Sequence, residues 1–309
     1  MSFVCHEDHR SQAPDRRDIL VPHLQASALP VAKGMFREQR VVDPLTQAYA
    51  KDIQRTVLWK EGRVYQANLF VPCLVDLALP DIGFATLNLL RRLGVEVSIP
   101  DTPGCCGQPF LNEGRPKRAR ALARGVISAV ENGKPLVVPS GSCAEMIKFH
   151  YPTLFEDEPR MQAKALELAQ RTFELSSFLV DELGIEGIGL DIQGKVAYRP
   201  SCRALRGLGV RSQPLALLSS SRGQGASELE SAEACCGFGG AFSFHLPEVS
   251  KAMAHARLEP FLQSGAEVLV VIEPGCMTHL SRALGKHETK QVRHIASVLY
   301  EALERRARP

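Results

Sequence analysis

The sequence lacks any stretch of 18 or more apolar residues, so no membrane-spanning helix is predicted and membrane association would be peripheral at most. The opening residues, MSFVCHEDHR, have no basic segment followed by an apolar run, which leaves no signal peptide to read. A cytoplasmic protein is the expectation. Aromatic residues make up only 6% and the net charge is only +3. That combination gives no basic, aromatic-rich surface, and no nucleic-acid partner is expected. Nucleotide fingerprints are also missing. There is no P-loop, and GLG at 207–209 and GFGG at 237–240 fall short of G-x-G-x-x-G, so neither nicotinamide nor flavin binding is read. Paired C-x2-C knuckles, the usual sign of structural zinc, are absent too.

What is present is cysteine. The chain of 309 residues has an apolar fraction of 45%, enough for two ordinary domains with real cores. Nine cysteines are spread along it: Cys5, Cys73, Cys105, Cys106, Cys143, Cys202, Cys235, Cys236 and Cys276. An odd number in a long chain without an export signal does not suit a secreted disulfide scaffold. Metal ligands or redox groups fit better. Cys5 lies beside His6 and His9 in a leader, residues 1–66, rich in Arg, Gln, Asp and Pro; a stray thiol is the simpler reading there. One helix near 43–58 is the only element expected in that leader.

From Ala67 onward short apolar runs alternate with helical patterns. ANLFVP runs into Cys73, PDIGFATLNLLRRLG reads as a helix closed by Gly94, VEVSIP is a strand, RPKRARALARGVISAVENG is a helix, and KPLVVPS is a strand ending near Cys143. This alternation predicts an α/β fold with a mainly parallel sheet flanked by helices.

The pattern then repeats. Cys73 corresponds to Cys202, Cys105–Cys106 to Cys235–Cys236, and Cys143 to Cys276. CCGQPF aligns with CCGFGGAF, LVVPSGSC with LVVIEPGC, and ELSSFLVDEL with HIASVLYEAL. Two units, 67–190 and 191–309, related by a pseudo-two-fold, are therefore expected, joined at the glycine-rich stretch Gly184–Gly194.

In an open parallel sheet the loops at the carboxyl ends of the strands converge on one crevice. Four thiols from three such loops would meet at one edge of each unit. Soft sulfur donors select zinc, copper(I) or iron–sulfur clusters, and four cysteines complete one [4Fe–4S] cluster. Adjacent cysteines point apart in an extended chain, so each Cys-Cys pair needs a sharp turn, for which Gly107 and Gly237 provide the freedom. Gly239 would let backbone amides approach cluster sulfurs. The vicinal cysteines leave a second reading open, a thiol–disulfide redox module, and a third, a scaffold held by metal.

These stretches, with NLFVPCLVDLALPDIGFATLNLLRRLGVEV, PGCCGQPFLNEG, VVPSGSCAEMIKFHYPTLF and PGCMTHL, resemble the CCG cysteine-rich domain family, which includes the heterodisulfide reductases and the glycolate oxidase iron–sulfur protein. The resemblance runs from residue 67 to about 303 and is nearest to the lactate-utilization branch. It implies an iron–sulfur electron-transfer subunit of a complex that oxidises L-lactate, or a related 2-hydroxy acid, to the 2-oxo acid. It implies one or two [4Fe–4S] clusters, with Cys73, Cys105, Cys106 and Cys143 as one ligand set and Cys202, Cys235, Cys236 and Cys276 as the other. The partners it implies are a ferredoxin-like iron–sulfur subunit and a third lactate-utilization subunit. Where the heterodisulfide reductases have a further cysteine after the last one, this chain has Met146 and His279. His279 is a candidate ligand, a supporting donor or a surface residue. Arg199 and Pro200 depart from the family pattern and receive no role. Arg115, Lys117, Arg118, Arg120 and Arg124 form a basic helix face, read as solvated or as a docking surface.

Overall fold

The computed structural model describes residues 65–185, 194–219, 226–229 and 234–306. Cys5, the helix expected near 43–58 and most of the Gly184–Gly194 joint lie outside the described residues. Within them the two units have the same topology. Strands β1 (Gln66–Leu69), β2 (Glu96–Ser98), β3 (Leu136–Val138) and β4 (Thr172–Glu174) form one parallel sheet in the order β2-β1-β3-β4. Strands β5 (Val196–Tyr198), β6 (Ser227–Glu228), β7 (Val268–Val271) and β8 (Gln291–His294) repeat it as β6-β5-β7-β8. The central strands are buried on both faces, as at Leu136, Val137 and Val138, which is why they read as continuous apolar runs rather than alternating ones.

Register repeats as faithfully as topology. The Phe70 amide donates to the Val137 carbonyl at 3.0 Å, and the Arg199 amide donates to Val270 at 3.0 Å. Both donors stand just past the first strand of their unit. This hydrogen bond aligns the halves residue by residue.

The units are interlocked. The helix Pro80–Arg92, with Pro80 in its first turn, buries Ala85, Leu89 and Leu90 in a core shared with Leu299 and Leu303 of the C-terminal helix Ile295–Arg306. Each buried leucine contributes about 1.5–3 kcal/mol over an exposed one. The Arg92 guanidinium also pairs with Glu304 at 2.6 Å. In the reverse sense, the helix Ser212–Leu218 of the second unit packs on Leu175–Ser177 and Phe178–Glu182 of the first. Such reciprocal exchange is the contact pattern of a two-fold pair. Each unit keeps a smaller core of its own beneath its cysteines, around Val126, Ile147 and Phe155 in one and Leu258, Phe261 and Leu269 in the other.

Candidate functional site

All eight cysteines of the repeat lie just beyond the carboxyl ends of strands. Cys73 opens the helix Cys73–Ala78 after β1, and Cys202 follows β5 just before a π-helical turn, Ala204–Leu208. The two Cys-Cys-Gly turns follow β2 and β6. Cys143 lies in the helix Gly141–Glu145 after β3, and Cys276 in the helix Pro274–Leu284 after β7. All eight are free thiols.

Each half gathers its four sulfurs into one chain of contacts, in the same order. In the first, Cys73 lies against Cys105, Cys105 against Cys106, and the Cys106 and Cys143 Sγ atoms are 3.3 Å apart. In the second, Cys202 lies against Cys235, Cys235 against Cys236, and the Cys236 and Cys276 Sγ atoms are 3.0 Å apart. Hydrogen bonds from Cys106 and Cys73, helped by the Gly107 amide, hold the Cys105 thiol down at about 3. The bond to Cys105 and burial push Cys73 up, and the bonds to Cys105 and Cys143 with burial do the same to Cys106. Cys202 is raised by its bond to Cys235 and by burial. For Cys236 the bond to Cys235 pulls downward, but the Cys276 contact and burial outweigh it. In the first half Cys105 is thus favoured as the thiolate, between Cys73 and Cys106, which are held as thiols. A cationic centre would displace those protons and pair all four sulfurs, so the donor set suits a soft metal centre. Among the described residues no group of three or more His, Cys, Asp or Glu side chains is placed to hold a metal ion. A four-iron cluster would be held by all four thiols of a set, one iron to each.

The turns are built from glycine for a geometric reason. Gly107 and Gly237 have φ of +88° and +87°, and their amides reach back to the Cys105 and Cys235 sulfurs at 3.4 Å. Each also rests on the following helix. A Cβ on Gly107 would stand 3.0 Å from the Ala119 carbonyl oxygen, and one on Gly237 would stand 2.6 Å from that of Ser250. Gly239, at φ +51°, turns the chain beside Phe242 and lines the cavity described below.

Different side chains fasten the two turns. In the first half the buried Tyr151 hydroxyl donates to the Cys106 carbonyl at 3.0 Å. In the second the Ser250 hydroxyl donates to the Gly237 carbonyl at 2.7 Å, and His279 Nε2 lies 3.1 Å from that hydroxyl oxygen and 3.2 Å from the Ser250 carbonyl. Since the hydroxyl proton is already committed, Nε2 carries the imidazole proton and donates. The structure therefore places His279 behind the turn as a supporting donor. Met146, its counterpart, is fully buried.

The halves meet at this edge. Glu273, aligned with Ser140 in the repeat, accepts hydrogen bonds from the Ser142 amide at 2.8 Å and from the Ser140 and Ser142 hydroxyls at 3.1 Å. Burial raises its carboxyl, against the pull of those donors. Nearby, Glu174 and His294 occupy matching positions at the ends of β4 and β8. Both are fully enclosed; burial raises Glu174 to about 7 and lowers His294 to about 4. A cavity of about 700 Å³ opens between the units, touched by Cys73, Cys106 and Cys143 on one side and Cys202, Cys236 and Cys276 on the other. Neither Glu273 nor Tyr151 belongs to a motif that the sequence alone makes conspicuous. Aligning LVVPSGSC with LVVIEPGC residue by residue pairs Ser140 with Glu273, and that was the available signal.

The basic helix face divides. Arg120 and Arg124 bind Glu158 and lie over the Phe155 ring, both at 5.2 Å from its centre, so they fasten a loop of their own unit. Arg118 lies 5.9 Å over Phe110.

A duplicated parallel α/β unit with a Cys, Cys-Cys-Gly, Cys set at each sheet edge defines a class, and the chain belongs to it: the cysteine-rich domain family, CCG, matches residues 67–148 and again 196–281. Lactate utilization protein A of Bacillus subtilis is 40% identical over 235 residues, covering 76% of this chain and 98% of that protein. The protein of the same name from Bacillus licheniformis is also 40% identical with the same coverage, and that from Geobacillus kaustophilus is 38% identical.

Proposed function

We propose that the chain is an iron–sulfur electron-transfer subunit of a complex that oxidises L-lactate, or a related 2-hydroxy acid, to the 2-oxo acid. Cys73, Cys105, Cys106 and Cys143 would hold one [4Fe–4S] cluster, and Cys202, Cys235, Cys236 and Cys276 a second. The observation that carries this reading is the gathering of four thiols in the same contact order at equivalent places in both units. The similarity to lactate utilization protein A supplies the substrate class. When bound, such clusters accept and release single electrons. The protein's own part is to supply the thiolates, to fix them with the Gly107 and Gly237 turns, and to aim amides at their sulfurs.

Oxidation of a 2-hydroxy acid removes two electrons and a hydride equivalent, and the sequence carries no nicotinamide or flavin fingerprint. The hydride acceptor therefore belongs to another polypeptide of the complex. A ferredoxin-like iron–sulfur protein and a third lactate-utilization subunit are the partners in this reading. No helix among the described residues is long and apolar enough to cross a membrane. A cytoplasmic complex is the setting we propose, with cysteine-rich units at 67–190 and 191–309.

Anaerobic purification with counts of iron, acid-labile sulfide and zinc tests this directly. About four irons per thiol set, with visible absorbance bleached by dithionite, is the expected result. A colourless protein that stays free of iron after reconstitution, yet exchanges thiols and disulfides, would replace it with the dithiol reading, for which the 3.0 Å approach of Cys236 and Cys276 is the favouring observation.

A further inference from the structure

The two thiol sets share a scaffold but not an electrostatic setting. Phe70 and Arg199 are equivalent, since each is the residue after the first strand of its unit and each donates its amide to the middle of the next strand at 3.0 Å. They are 0% and 2% exposed. Val126 and Arg257 are equivalent in the same way, each two helical turns beyond the residue on which the Cys-Cys-Gly glycine rests, Ala119 or Ser250. Both are buried, at 0% and 3% exposure. Leu77 and Arg206 occupy the same place one helical turn after Cys73 and Cys202. Three times over, an apolar side chain in the first half is replaced by arginine in the second.

The arginines lie against the second thiols. Arg199 and Arg257 line a small void together with Cys202, Cys236 and Cys276. Arg199 donates to the Arg257 carbonyl at 2.7 Å, and Arg257 donates to the Pro200 carbonyl at 3.3 Å. Arg206 Nε donates to the Cys202 carbonyl at 3.4 Å, which brings its guanidinium beside the Cys202 thiol and pulls that thiol downward. Positive charge in a poorly screened interior favours whichever oxidation state of its neighbour is the more negative. The reduction potential of a thiolate-bound cluster follows the charge and hydrogen bonding around it.

We infer that Arg199, Arg257 and Arg206 make the second thiol set the more readily reduced of the two, so that the chain carries a built-in direction for electrons, from the unit of Phe70 and Val126 to the unit of Arg199 and Arg257. This rests on the cluster reading above. An electron shared between the halves comes to rest at the second set: the first is oxidised by one electron, the second is reduced by one, and no other reactant is consumed.

The test is a redox titration of the full reconstituted chain followed by electron paramagnetic resonance, after iron and sulfide have been counted. Two one-electron waves are expected. The upper should vanish in Cys202→Ala and persist in Cys73→Ala. Arg199→Phe, which installs the first half's own residue, should lower the upper wave by about tenfold in its equilibrium constant, about 59 mV, and leave the lower wave in place. Arg199→Lys, which keeps the charge, should restore most of the shift. The exposed Arg206→Leu should act in the same direction by roughly threefold, since water and salt screen it, and it carries the test alone if Arg199→Phe does not fold. Coincident waves, an upper wave that survives Cys202→Ala, or an upper wave unmoved by the arginine variants would overturn the inference. A chain that binds no iron would instead overturn the cluster reading on which it stands.

Discussion

Replacing Gly237 with alanine is the sharpest structural test of the second Cys-Cys-Gly turn. The position has φ of +87°, where an L-residue costs about 1–2 kcal/mol over glycine. The added methyl would also lie 2.6 Å from the Ser250 carbonyl oxygen and 2.9 Å from Met253 Cβ. The first of these is backbone in the first turn of the helix Pro247–Gln263, so it cannot swing aside as a side-chain tip would. Overpacking of this kind costs about 1–3 kcal/mol. Gly240 is the internal control. It also has positive φ, +61°, but a Cβ there meets nothing within 4 Å. Both alanine variants bear the conformational cost, and only Gly237→Ala bears the crowding. Thermal melting should therefore place Gly237→Ala below Gly240→Ala by roughly 1–3 kcal/mol, or about 2–12 °C at the size-scaled sensitivity of 2–4 °C per kcal/mol. Iron content should separate them too. Displacing Gly237 moves Cys235 and Cys236 off the Ser250 and His279 support, so only Gly237→Ala should load the second thiol set poorly. Equal melting temperatures and equal iron in the two variants would refute the close-approach account of the turn.

Cys106→Ala and Cys236→Ala should each lose about four irons per chain while retaining those of the other unit, and each should abolish growth on lactate of a strain that depends on this protein; iron analysis and a growth assay read the two results. Tyr151→Phe leaves the buried Cys106 carbonyl without its donor and should lower stability by about 1–3 kcal/mol in urea unfolding, disturbing only the first thiol set. Glu174→Gln tests the buried carboxyl: between pH 4.5 and about 7 the folded chain holds a proton that the unfolded chain has released, so this group makes stability fall as pH rises through that window, by roughly 3 kcal/mol in all. The variant should gain on the unmodified protein between pH 5 and pH 7, and an identical difference at both pH values would contradict the burial argument. His294→Gln should show the opposite trend, because His294 is held neutral and stability falls as pH drops from 6.5 towards about 4; unfolding at pH 6.5 and pH 5 measures it.

Much of this architecture was legible in the chain. LVVP and LVVI mark central strands because a strand covered on both faces is apolar throughout, and the recurrence of Cys, Cys-Cys-Gly, Cys locates the same loops twice. The glycine after each cysteine pair announced a turn, and the turn is there. The partners of that turn were not legible, because they arrive from far along the chain: Tyr151 reaches Cys106 across 45 residues, and Glu273 reaches Ser140 across 133. No local period encodes such a meeting; it follows from the packing of elements far apart in the chain, within one unit for Tyr151 and between units for Glu273. His279 left three roles open in the sequence, and only the position of Ser250, on a different helix, decides among them. The basic helix face is legible only in part: its residues stay partly or wholly exposed, and what the sequence does not show is that Arg120 and Arg124 also pair with Glu158.

The reciprocal exchange of helices, Pro80–Arg92 onto Ile295–Arg306 and Ser212–Leu218 onto Leu175–Glu182, makes the molecule a dimer written on one strand of polypeptide. In a dimer of identical chains every substitution is made twice, once on each side of the axis. Joining the copies end to end lifts that constraint while keeping their stoichiometry at one to one and their mutual concentration high at any dilution. One copy can thereby carry Phe70 where the other carries Arg199. The fusion is what allows a symmetric scaffold to have a front and a back.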